Sequence, residues 1–231
     1  MEISINEKIG TMKKILLSAG IMLAVACTFA AAQDESEFKT ATFQVEQFDK
    51  IDLGGAYHVE YEMTDGDAYV EVSAPERLIE ILDVRVKDGK LKIDLEKRLL
   101  NVNINSNVKV KAYSKTLTSV QLAGACYFNC ENGIDTEDFE VQISGAGDIN
   151  INGLDAFNAK VSIAGAGGIT VKGLDVDNLD MRLSGAGSAT LAGEAKKAVV
   201  NVSGTGGADI RDLKVTESLD TKMAGIGRIK K

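Results

Sequence analysis

Nucleophilic or metal chemistry in this 231-residue chain would have to start from one histidine, His58, and three cysteines, Cys27, Cys126 and Cys130. A Cys–His or Ser–His–Asp system needs its imidazole beside the nucleophile. His58 stands instead in AYHVEYEM, where apolar and polar residues alternate, and reads as the exposed polar member of a strand. A Cys/His zinc site wants four ligands, and two cysteines with one histidine fall short. Cys126 and Cys130 lie four residues apart in one extended segment. That puts their Cα atoms about 13 Å apart, too far for the ~5.5–6 Å of a disulfide. Cys130 falls in an apolar column and reads as a core residue, whereas Cys126 replaces a glycine and is expected near the surface. Acid–base work on a polysaccharide needs carboxylates gathered on one face. The outward columns hold Asn and Thr with isolated acids, the chain has no Trp, and no aromatic row offers sugar stacking. These columns assign no catalytic, cofactor-binding or metal-binding residue.

The element that would position any such group is a repeat. VQISGAGDININGLD (141–155) returns as VSIAGAGGITVKGLD (161–175) and MRLSGAGSATLAGEA (181–195), then as VNVSGTGGADIRDL (200–213) and TKMAGIGRIKK (221–231). An earlier copy, VQLAGACYFNCENGID, fills 120–135. The first glycines are Gly124, Gly145, Gly165, Gly185, Gly204 and Gly225, spaced by 21, 20, 20, 19 and 21 residues. A fixed period near twenty marks a solenoid, whose coils bury their apolar faces only by stacking. Apolar residues alternate with period two on both sides of each glycine step, as in Val141, Ile143, Ile149 and Ile151. Each copy therefore reads as two short strands meeting at a corner.

The corner residues are those first glycines together with Gly147, Gly167, Gly187, Gly206 and Gly227. A phosphate-cradling loop would need a helix after the glycines, with Lys or Ser/Thr in place. Here a second strand follows and no copy carries GK[ST]. Successive copies must stack in parallel, with right-handed crossovers. The expected fold is all-β: a right-handed parallel β-helix of ~20-residue coils, its six regular coils spanning 119–231 and about 29 Å of rod. A strip of small residues, Ala123, Ser144, Ala164, Ser184, Ser203 and Ala224, runs beside the corners. It reads either as corner packing or as a smooth surface for a partner.

Residues 38–118 keep the strand pattern but lose the period, and are expected to form irregular coils interrupted by hairpins that cover one end of the rod. Asp65-Gly66 and Asp88-Gly89 mark hairpin turns, and Pro75 to Ile81 reads as a short helix with proline in its first turn. The fragment Ile51 to Ala56 has the phase of the repeat and reads as an early coil. At the far end Arg228, Lys230 and Lys231 read as charges guarding a strand edge, with a docking edge as the alternative.

Residues 1–32 carry a targeting pattern: Met12-Lys13-Lys14, an apolar run from Ile15 to Ala26, and a small-x-small site at Ala30 to Ala32. Met12 serves equally as a start. The expectation is export to the periplasm, outer-membrane surface or medium, with residues 33–37 a polar leader. Ala24-Val25-Ala26-Cys27 offers a rival, a loose lipobox in which Cys27 bears lipid. Without residues 1–32 the chain has 23 basic against 32 acidic residues, and no stretch long enough to span a bilayer. This balance argues against nucleic acid as a partner.

The signal segment, the opening Phe48, Ile51, Leu53, Gly55, Ala56, the run Asp88-Gly89-Lys90-Leu91 and the serial [SA]-G-[AT]-G motifs resemble the putative auto-transporter adhesin head GIN domain family. The resemblance covers about residues 40–231. It implies a right-handed β-helix, a role in cell adhesion and no catalytic residues to transfer. A secreted or surface-displayed non-enzymatic binding module is therefore expected, its partner a glycan or protein at a cell surface or in the envelope. The alternatives are a polysaccharide-binding or pectinase-like protein, and a structural envelope component that self-associates through its rod ends.

Overall fold

A computed structural model describes residues 38–95 and 108–231. The targeting segment, the leader and Cys27 lie outside the described residues. The elements are β1 (Phe38–Gln44), β2 (Lys50–Gly55), β3 (Tyr57–Met63), β4 (Tyr69–Pro75), α1 (Glu76–Ile79), β5 (Leu82–Lys87), β6 (Lys90–Leu95) and β7 (Val108–Ser114). They continue as β8 (Ser119–Gly124), β9 (Tyr127–Cys130), β10 (Ile134–Gly145), β11 (Asp148–Gly165), β12 (Gly168–Gly185), β13 (Ser188–Gly204), β14 (Gly207–Asp209), β15 (Leu213–Gly225) and β16 (Arg228–Lys230).

The chain is a parallel β-helix. Equivalent residues of successive repeats lie side by side, so that Val141, Val161, Met181, Val200 and Thr221 form one row. Strand segments before the glycine step build a first sheet in the order β2, β8, β10, β11, β12, β13, β15. Segments after the step build a second, in the order β7, β3, β9, β11, β12, β13, β14, β16. A narrower third sheet pairs residues 134–136, 154–156, 174–176, 193–195 and 213–215. The alternation decides which side of each sheet is dry. Val141, Ile143, Ile149 and Ile151 of one coil are buried, as are Val161, Ile163, Ile169 and Val171 of the next. Each such side chain contributes roughly 1.5–3 kcal/mol by leaving water. The pattern opens at the last coil, where Leu219 is 41% and Met223 38% exposed.

The N-terminal part is assembled out of chain order. The coil of β2 and β3 lies between β8 and β9 on one side and the later β6 and β7 on the other. The fragment 51–56 is thus a coil in register with the repeats, Gly55 facing Gly124. Antiparallel strands then close this end: β4 on β7, β1 on β4, and β5 on β6. Asp88 (φ 54°) and Gly89 (φ 73°) make the two-residue turn of the β5–β6 hairpin. Asp65-Gly66 does not make a hairpin: β7 lies between β3 and β4, and this turn spans the gap. Its local chemistry is ordinary, the Thr64 hydroxyl accepting the Gly66 N–H at 3.2 Å. A turn signal specifies that the chain reverses, not which strand it then meets. The helix forms directly after Pro75, as a single turn that buries Leu78.

Candidate functional site

The glycine steps set the shape of the outer surface. The first glycines stack in one column, Gly55, Gly124, Gly145, Gly165, Gly185, Gly204 and Gly225. Gly165 has φ 137°, and a Cβ there would sit 2.3 Å from the Gly145 carbonyl oxygen. The second column is as tight, a Cβ on Gly167 falling 2.2 Å from the Gly147 oxygen. Gly147, Gly187, Gly206 and Gly227 likewise meet the carbonyl of the coil beneath. Backbone therefore stacks directly on backbone at this edge, leaving the neighbouring faces smooth.

Cys126 occupies the second column and is buried, not near the surface as its place in the sequence suggests. The coil beneath it has Tyr57 at the corresponding step. That ring turns away, its hydroxyl donating to the Ile93 carbonyl at 3.1 Å. The Cys126 Sγ fits above, 3.5 Å from the Gly55 oxygen. Burial pushes its thiol pKa up, and pushes that of Cys130 up to about 11. Both cysteines are free.

One concavity follows the bend between the third and first sheets. It is a groove of about 810 Å³ that crosses the strands from Lys50 and Ser119 to Ser218. Asp138, Asn158 and Asn178 line it as a ladder, Asn158 donating to Asp138 at 2.7 Å and Asn178 to Asn158 at 3.0 Å. The row beside it alternates in charge, Glu140, Lys160 and Asp180 being neighbours on adjacent strands. Lys160 pairs with Glu140 at 2.8 Å, and Arg182 with Asp180 at 2.9 Å. These pairs are solvated and add little stability, so their side chains are free to exchange partners. Phe157, next to Asn158 in the chain, is 53% exposed. A second groove, about 440 Å³, shares Arg182 and runs over the small strip through Ala164, Ser184, Ser203 and Ala224. The strip is thus part of a grooved surface on the first sheet.

The second sheet carries a different chemistry near the capped end. His58 lies on Tyr127, ring centroids 4.5 Å apart, and Tyr69 stacks on Tyr113 at 4.3 Å. Sequence reasoning missed these pairs because the strands that join them, β3 with β9 and β4 with β7, are far apart in the chain. Two smaller grooves lie here. One, about 190 Å³, gathers Glu60, Glu62 and Glu131; the other, about 380 Å³, is lined by His58, Glu60, Glu71 and Lys109. Three of these four carboxylates are engaged: Glu60 with Lys111 at 3.2 Å, Glu62 with Asn132 at 2.9 Å, and Glu131 with Asn129 at 3.3 Å. All three are exposed. Among the described residues no group of three or more His, Cys, Asp or Glu side chains is placed to hold a metal ion. No helix among them is long and apolar enough to cross a membrane.

A family model described as putative auto-transporter adhesin, head GIN domain, matches residues 47–230. Among solved structures, a putative lipid binding protein from Parabacteroides distasonis superposes with TM-score 0.70 at 22% identity, covering 85% of this chain and 97% of its own. A putative adhesin from Bacteroides fragilis superposes at 0.69 with 21% identity, covering 84% and 96%. A putative adhesin from P. distasonis gives 0.58 and 18%, covering 85% and 97%. At these identities the likeness is one of fold. The search of curated proteins found no match.

Proposed function

Because the chain belongs to the putative auto-transporter adhesin, head GIN domain family, we propose that it is a non-enzymatic binding module displayed at a cell surface, acting in adhesion. The observation that carries this reading is the groove on the first sheet. It crosses strands from β2 to β15, six strand spacings or about 29 Å, and is open along its length. Such a trough suits an extended polymer, a glycan or a protein segment, better than a compact metabolite. Its ladder of amides and alternating charges offers donors and acceptors at one repeat per coil. Residues 1–32 fit removal on export, or lipid attachment at Cys27 where the chain is tethered.

The test is equilibrium binding to immobilised glycans, matrix proteins and envelope fractions, with Lys160→Glu/Arg182→Glu as the groove variant. The reading expects at least one surface to retain the wild type and the variant to bind it at least tenfold more weakly. Retention by none would count against it.

One observation favours a second reading. The engaged carboxylates, amides and aromatic pairs of the second sheet form a polar face suited to saccharide hydroxyls. Binding that survives the groove variant but is lost in Tyr127→Ala would place a saccharide there.

A further inference from the structure

The last coil leaves an edge unlike the other end of the rod. The strand β15 pairs with β13 on one side and, among the described residues, with no strand on the other. The opposite end is closed by antiparallel strands. On β15 the positions that are buried in the four preceding coils are open, with Leu219 and Met223 exposed. The charges expected to guard this end, Arg228 and Lys230, lie on the three-residue β16, and among the described residues no strand covers the thirteen residues of β15.

The sequence of this edge, Leu219-Asp220-Thr221-Lys222-Met223, is complementary to itself when reversed. In an antiparallel pair of two copies centred on Thr221, Asp220 of each faces Lys222 of the other on the outer side. Leu219 of each then faces Met223 of the other on the inner side. Centring on Asp220 or Lys222 would set like charges opposite each other, which is destabilising. We propose that two copies of the chain join at this edge by a two-fold axis through Thr221, continuing the first sheet from one rod into the next. The interface is isologous and closes at two copies, because both outer ends of the doubled rod are the capped ends. It buries the four exposed side chains and pairs the backbone groups of residues 217–225 of one edge with those of the other. The doubled rod carries two grooves, so one particle engages a surface twice. The proposal does not depend on which ligand the groove takes.

Sedimentation and light scattering of the full chain test it. The expected result is a particle of twice the 24.6 kDa chain mass at micromolar concentration. Asp220→Lys and Lys222→Glu each place like charges across the axis twice and should raise the dissociation constant at least tenfold. The double variant Asp220→Lys/Lys222→Glu restores the pairing and should return to within threefold of wild type. Both positions are exposed, so thermal unfolding of the dissociated single variants reports whether they still fold. A wild type that stays monomeric up to about 100 µM would overturn the proposal. So would a dimer indifferent to the single reversals, or one that the double variant fails to restore.

Discussion

At the scale of single residues, the fold turns on the absence of side chains. Gly165 joins a positive φ to a carbonyl 2.3 Å from where its Cβ would stand. Gly165→Ala should therefore lower unfolding free energy by roughly 2–4 kcal/mol, read by urea titration. Ala166→Gly, at an exposed corner position one residue on, should change it by less than about 1 kcal/mol. The cysteines make a second prediction. Cys126 and Cys130 are buried, so a thiol reagent at pH 8 should leave these two unmodified in the native chain and label them after unfolding. Burial also raises Cys130 to about 11 and the hydroxyl of Tyr61 to about 12. These folded values lie above the unfolded ones. The stability they contribute is complete below about pH 8.5, and is lost as pH rises through 9 to 12. Chemical denaturation at pH 8, 10 and 11 should show the fall, with Cys130 supplying on the order of 2 kcal/mol of it.

At the scale of elements, legibility followed periodicity. The rows Val141–Val161–Met181 and Ile149–Ile169–Ala189 could be read from spacing alone, because a parallel coil repeats its environment every twenty residues. The N-terminal strands could not. Nothing local to Asp65-Gly66 reports that β7, some forty residues on, will come between β3 and β4. The His58–Tyr127 and Tyr69–Tyr113 pairs were hidden for the same reason, since non-local pairing leaves no mark in either segment by itself. Cys126 misled because a glycine column looks like a surface corner, whereas the coil beneath it had turned its Tyr57 ring aside. The core rows carry a direct test. Phe139 is almost wholly buried at the foot of the groove, and Phe139→Ala should cost about 3–5 kcal/mol in a thermal or urea melt. Asn158→Ala, on the solvated ladder above it, should cost less than about 1 kcal/mol while still weakening groove binding.

At the scale of the whole fold, residues 38–95 and 108–231 combine a capped end, an edge strand that is unpaired among the described residues and a trough along one face. The trough was only partly legible in the sequence. The small strip pointed to the first sheet, but the bend that makes the larger groove comes from sheet-to-sheet geometry, which period-two patterning does not encode. In the proposed function this trough holds the ligand. The most direct measurement is retention of beads coated with the chain on the glycan, matrix and envelope surfaces. It compares the wild type with Lys160→Glu/Arg182→Glu, whose two positions lie in the groove and are exposed. Wild-type beads should hold to at least one surface, and the variant, folded and equally loaded, should lose at least nine-tenths of that retention. Wild-type beads that hold nowhere, or variant beads that hold as well as wild type, would contradict it.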